Sequence, residues 1–175
     1  MMSLQVGVWI AVAVLLFWTV GAYNRLVRLR NAIVAGFSPV DAQFCARDAL
    51  LHQQLEAVAP MLEKAAPRLE ALQAACTQAD LARIHAKAHP GAPGAITSLR
   101  LADDILSEAR ARVPVQAIGG SEVAELSAQL AACDTALGFA RAQFNTAVLD
   151  YNRAVRQIPT RLIAAVFGFA PSGTL

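Results

Sequence analysis

Three small groups of residues in this chain have the types and spacing that chemistry uses. His85-Ala86-Lys87-Ala88-His89 sets two imidazoles four residues apart, on one face of a helix, at a spacing that holds Zn²⁺. A metalloprotease motif built on that spacing carries Glu as general base; Ala86 stands in its place and the motif supplies no third ligand. His85 and His89 therefore read as exposed helix histidines. Asp103, Asp104 and Glu108 gather carboxylates that could serve acid–base work, but no recognisable pocket accompanies them and they read as a solvated face. Cys45, Cys76 and Cys133 are dispersed, with no CxxC pair. That argues against a disulfide framework and fits small buried thiols on helices in a reducing compartment. No Glu-x-x-His of a di-iron bundle occurs, nor a GxGxxG, P-loop or GxSxG sequence. The expectation is a protein that is not an enzyme: no catalytic residue, no cofactor or cofactor-binding residue, and no metal ligand.

The elements that carry these residues are helical. The composition is 56% hydrophobic and rich in Ala, and the eight prolines fall between apolar-periodic stretches. No segment alternates apolar and polar residues with the β-branched enrichment of a strand. The predicted fold class is all-α: an N-terminal transmembrane helix continuing into an antiparallel up-and-down four-helix bundle with long helices. Residues 1–22 form the anchor, whose helix extends towards Val27. Residues 23–158 form the bundle, and residues 159–175 an apolar membrane-proximal segment with a polar tail.

Val6 to Ala22 reads VGVWIAVAVLLFWTVGA, free of charge. With Leu4 and the apolar residues that follow, it is long enough to cross a hydrocarbon layer of ~30 Å. Trp9 and Trp18 suit the two interfaces. Val20-Gly21-Ala22 has the small residues of a signal-peptidase site, but no Lys or Arg precedes the apolar run, and Arg25, Arg28 and Arg30 follow it. This predicts an uncleaved single-pass anchor in the cell inner membrane, with the N-terminus out and the bundle in the cytoplasm.

Leu26, Leu29, Ile33 and Phe37 carry the first helix beyond the anchor. Ser38-Pro39-Val40-Asp41 has the residues of a fresh helix start and predicts a kink or a break there. Val40, Phe44, Leu51, Leu55, Val58 and Leu62 continue the stripe. A second helix spans Pro67 to Ala88, a loop covers His89 to Gly94, and a third helix runs from Ala95 to Arg112. Val113 to Gly120, with Pro114 and the Gly119-Gly120 pair, forms a turn. Ser121 then serves as N-cap for the longest stripe: Val123, Leu126, Leu130, Cys133, Leu137, Ala140, Phe144, Ala147, Tyr151, Ala154 and Ile158. Its alternating steps of three and four suit packing within the bundle, or a coiled-coil dimer through the thin Ala140–Ala147–Ala154 seam.

All thirteen acidic residues lie between Asp41 and Asp150, where they outnumber nine basic ones. Outside that window stand six arginines and no acid: Arg25, Arg28, Arg30, Arg153, Arg156 and Arg161. In an up-and-down bundle the start of the first helix and the end of the fourth share one end, so these arginines form one membrane-proximal basic collar. Near anionic lipid each is worth ~1 kcal/mol. The pattern YNRxVR occurs at Tyr23–Arg28 and again at Tyr151–Arg156, as if both helix ends met one environment. Leu162, Ile163, Val166, Phe167 and Phe169 form an apolar segment too short to span, which either plugs the base of the bundle or lies in the membrane interface.

Tyr23 to Phe44, YNRLVRLRNAIVAGFSPVDAQF, resembles the opening signature of the LemA family, and Phe139 to Phe169, FARAQFNTAVLDYNRAVRQIPTRLIAAVFGF, is similar to its closing signature. The resemblance implies a bacterial inner-membrane protein with an N-terminal anchor and an antiparallel helical bundle, and no settled molecular role. The chain departs from the family pattern after Asp41, where Arg47 remains but Leu50, Leu51, His52 and Gln53 replace the usual turn. Its ending, Ala170 to Leu175, lacks the family's aromatic close.

The predicted function is a membrane-anchored interaction or scaffolding protein. Its expected partners are anionic lipid of the inner leaflet and either further copies of itself or one membrane protein. The net charge of +2, with an acidic bundle, leaves no nucleic-acid footprint, and no small-molecule substrate is evident. Two alternatives stand beside it. One is an accessory or regulatory subunit of a membrane enzyme or transporter in envelope maintenance; the other is a metal-dependent enzyme using His85 and His89.

Overall fold

The structure, a computed structural model, describes residues 2–61, 66–113 and 120–175. Every regular element among them is helical: α1 (Met2–Val58, followed by a 3-10 turn at Ala59–Met61), α2 (Ala66–Ala88), α3 (Pro93–Ala111), α4 (Ser121–Arg156) and α5 (Thr160–Val166). The all-α expectation agrees. Leu62, at the end of the first stripe, and the turn residues 114–119 lie outside the described residues.

The interruption expected at Ser38-Pro39 does not break the helix, because α1 runs through Pro39 unbroken. Pro39 lies on the exposed face, while Ile33, Phe37, Val40 and Phe44 stay in the core on either side of it. Packing on both flanks outweighs the one backbone hydrogen bond that proline removes. Before the core begins, α1 is bare. From Val6 to Val20 its large apolar side chains are exposed, with Trp9 at 73% and Phe17 at 81%. Burial starts at Ala22 and Leu26.

Helix α4 lies antiparallel on α1. Gln54 donates to Ser127 Oγ at 3.0 Å, Cys133 Sγ to the Gln43 carbonyl at 3.4 Å, and the Phe37 and Phe144 rings meet edge to face at 5.7 Å. The paired numbers rise on one helix as they fall on the other. The α2–α3 hairpin covers the far half of this pair, where Leu51, Leu55, Leu72, Cys76, Leu106 and Leu130 form a core drawn from four helices. Towards the other end only α1, α4 and α5 remain, packed through Leu26, Tyr151, Ala154, Ile163 and Ala164.

Most of the expected α4 stripe is buried, but its end shifts. Val148 is buried where Ala147 is only half-buried, Val155 joins Ala154 in the core, and Ile158 lies past the end of α4 and is 76% exposed. A straight α-helix drifts by ~20° per heptad from a strict 3.5-residue repeat, and after several heptads the neighbouring column faces the core. Since α1 occupies this seam, it is closed to the coiled-coil dimer. The helix starts also move slightly. Gly120, not Ser121, is the N-cap of α4, and Pro93 takes the first turn of α3, where its missing N–H costs nothing.

Pro39 is the one residue of α1 that works against its own helix. Replacing it with Ala restores a hydrogen bond on an exposed face, so Pro39→Ala is expected to raise the unfolding free energy by about 1–3 kcal/mol. Chemical denaturation of the detergent-solubilised chain, followed by circular dichroism, measures this; a loss of stability would show that the packing uses the proline.

Candidate functional site

The basic residues converge on the end of the bundle where α1 emerges from its packing. Arg25, Arg28 and Arg30 are exposed on α1, Arg153 and Arg156 on the last turn of α4, and Arg161 on α5. The antiparallel α1–α4 pair and the contact of Tyr23 with Phe167, at 5.0 Å between rings, bring the three helix segments to one level. Cations in the last turn of α4 also suit the negative end of its dipole. Among the described residues only Arg153 has an acidic neighbour, Asp150 at 3.5 Å.

The apolar segment of α5 has a buried side and an exposed one. Ile163 and Ala164 plug the base of the core, whereas Leu162, Val166 and Phe167 point outward and Phe169 is half-buried. Both YNRxVR copies touch the chain that follows. Tyr23 packs its ring on Phe167 and on Phe169, the latter at 5.8 Å, while Tyr151 donates its hydroxyl to the Ala170 carbonyl at 3.0 Å. Burial pushes the Tyr151 phenol up.

The residues expected as a polar tail form an ordered strap along α4. Asn152 donates from Nδ2 to the Ser172 carbonyl at 2.9 Å, and the Ser172 N–H returns a bond to Asn152 Oδ1 at 2.8 Å. One heptad earlier, Asn145 grips the backbone of Leu175 in the same two-point manner, at 2.7 and 2.8 Å. Each side-chain amide thus stands in for a strand edge, satisfying backbone groups that a strap without secondary structure would leave unpaired. Gly173 is required by close approach, since a Cβ there would sit 3.0 Å from Pro93 Cα at the start of α3. The Asn145–Asn152 spacing was visible in the sequence, but nothing local shows that its partners lie near the end of the described chain.

Inside the bundle, sequence reasoning missed an ionic cluster. Asp103, expected on a solvated face with Asp104 and Glu108, is only 6% exposed. It accepts from Arg47 of α1 and, at 2.6 Å, from Arg141 of α4. Asp104 and Glu108 are exposed as expected, and Glu108 pairs with Arg112. Asp134 joins the cluster through Arg47 at 3.6 Å and pairs with Arg110 at 3.0 Å. Both Arg47 and Arg141 lie over the Phe44 ring, 5.0 and 5.1 Å from its centre. A second group ties α1 to α2, where Asp41 accepts from Arg83 at 2.6 Å and from Lys87 at 2.8 Å. The signal was present: Arg47 occupies the stripe position between Phe44 and Leu51, and Asp103 the one between Leu99 and Leu106. Burial by itself would raise the Asp103 carboxyl, but Arg47 and Arg141 outweigh it and hold the group below its ordinary value.

His85 and His89 are exposed, with ring centres 5.0 Å apart, and the described residues contain no group of three potential metal ligands. Cys76 and Cys133 are buried, and burial pushes the Cys76 thiol up to about 11. Cys45 departs from expectation, being exposed on the outer face of α1.

The fold and this basic, strapped end define a helical-bundle protein with one helix long and apolar enough to cross a membrane. Residues 119–175, which contain α4, α5 and the strap, match the model of the LemA family. The other region of resemblance, Tyr23–Phe44, lies outside the matched residues. No curated protein matches the chain.

Because Asp103 is held ionised, its contribution to stability is complete above its ordinary pKa of 3.8 and is lost as the pH falls below that value. Asp103→Asn leaves the buried Arg47 and the half-buried Arg141 short of their counter-ion and is expected to cost about 3–5 kcal/mol at neutral pH. The variant should also lose stability less steeply in acid, whereas Asp104→Asn should change stability by about 0.5 kcal/mol or less. Denaturant titrations across pH check all three statements.

Proposed function

We propose that this chain is a membrane-tethered interaction or scaffolding protein without catalytic activity. The bare N-terminal part of α1 crosses the inner membrane with the N-terminus out. The bundle stands on the cytoplasmic face, its arginine collar resting on the anionic leaflet. The observation that carries this reading is the exposed run of α1 up to Val20, apolar all round and packed against nothing. Such a surface needs an apolar surround, and the charge-free run of seventeen residues extends it about 26 Å along the axis. The exposed side chains of Leu162, Val166 and Phe167, level with Tyr23, continue the apolar rim to the collar.

The interaction role rests on the outer face of α4. With its inner seam filled by α1, the helix presents a second stripe of small and apolar residues: Ala128, Ala132, Thr135, Phe139, Ala142, Thr146 and Leu149, all exposed and spaced by alternating fours and threes. This is the spacing by which one helix packs on another, whether in a second copy or in a membrane-protein partner.

Replacing Arg153, Arg156 and Arg161 together by Glu reverses half of the collar. Crosslinking in native membranes followed by mass spectrometry is expected to recover copies or partner at a yield lower by a factor of about ten or more. Unchanged membrane arrangement with unchanged recovery would remove the collar from the function and with it the proposal.

A further inference from the structure

Between the end of α4, α5 and the strap lies an open cleft of about 490 Å³. Arg156 and Arg161 line it together with Val155, Ala164, Ala165, Phe169 and Pro171. Its size is that of a small-molecule site, and its lining combines two cations with apolar side chains. Among the described residues neither arginine has an acidic partner, whereas the arginines inside the bundle, Arg47, Arg83, Arg110 and Arg141, are each paired. The walls are kept in place by the strap: Phe169 leans on Tyr23, and Pro171 stands between Ala170, held by Tyr151, and Ser172, bracketed by Asn152.

From this arrangement we propose that the cleft binds one anionic phospholipid, with its phosphodiester on Arg156 and Arg161 and the start of an acyl chain against Ala164, Ala165 and Phe169. Planar guanidinium groups suit a phosphate oxygen pair, and two of them lining one cleft without a carboxylate partner among the described residues leave a charge for the ligand to neutralise. A soluble anion would satisfy the arginines but leave the apolar walls wet. A zwitterionic lipid would fill the walls but bring its own cation to the arginines. The exposed Leu162, Val166 and Phe167 beside the cleft offer a continuous apolar path from the bilayer. The proposal rests on the membrane reading above, and it makes the collar two things: a diffuse electrostatic contact from the α1 arginines, and one built lipid site at the α4–α5 corner.

The test uses the full-length chain purified in a neutral detergent, titrated with phosphatidylglycerol and read by native mass spectrometry. One phosphatidylglycerol per chain is expected to stay bound, with phosphatidylcholine bound more weakly by a factor of about ten. R156Q/R161Q should lose the bound lipid by a similar factor. A165W should lose it as well, with every arginine in place, because it fills the cleft. R25Q/R28Q should keep it. Circular dichroism of each variant confirms folding. Equal loss in R25Q/R28Q and R156Q/R161Q, or full retention in A165W, would overturn the site in favour of a diffuse collar. Competition by inorganic phosphate as effective as that by the lipid would reduce it to an anion site and overturn it too. Sedimentation of the chain with carbonate-washed membranes is measured alongside. A chain that stays with the membrane but retains no lipid defeats this inference alone, while a chain that washes off defeats the anchoring reading beneath it.

Discussion

One carboxylate sets the register of this bundle. Asp103 of α3 is gripped by Arg47 of α1 and Arg141 of α4, with Phe44 packed under both guanidinium groups. The helices around it are built largely of Ala and Leu, whose contacts change little when one helix slides a turn along another. An ion pair is directional and short-ranged, so a slide would strand a buried charge at a cost of about 3–5 kcal/mol. The register fixed here carries along the whole of α4. It brings the Tyr151–Arg156 turn level with Tyr23, sets α5 beside α1, and leaves Asn145 and Asn152 facing the groove that the strap fills.

The rest of the architecture divides its work along α1. At the far end four helices share a core, in the middle the α2–α3 loop closes over the strap, and at the basic end two helices and α5 remain. N-terminal to Ala22, none of the described side chains of α1 is buried. Stability is thus concentrated away from the basic end, and the surface there is left to arginines, exposed apolar residues of α5 and the cleft between them. That distribution suits a protein whose work is to hold a position and offer helix faces.

Much of this was legible in the sequence because it depends on period and charge. The helices, the loop at His89–Gly94, the long α4 stripe and the grouping of six arginines outside the acidic window all follow from spacing alone. The misreadings have particular physical causes. Pro39 looked like a boundary because proline removes a hydrogen bond, yet buried residues on both sides keep the helix intact. Val148 and Val155 enter the core beside Ala147 and Ala154 because a straight helix drifts from a seven-residue repeat, and Ile158 falls past the end of α4. Asp103 reads as a surface carboxylate in the sequence because its partners, Arg47 and Arg141, are distant along the chain; a charge at a stripe position is the available sign. The strap reads as a plain tail because its two-point amide brackets bind backbone atoms, which leave no side-chain pattern to find.

The proposed placement of the bundle on the cytoplasmic face of an inner membrane can be tested through a reporter that the chain itself carries. Cys45 is exposed on the bundle part of α1, while Cys76 and Cys133 are buried. A membrane-impermeant maleimide is expected to leave Cys45 unmodified in intact spheroplasts and to label it in inverted inner-membrane vesicles. Labelling of Cys45 in intact spheroplasts would put the bundle on the opposite side and contradict the orientation from which the arginine collar draws its role.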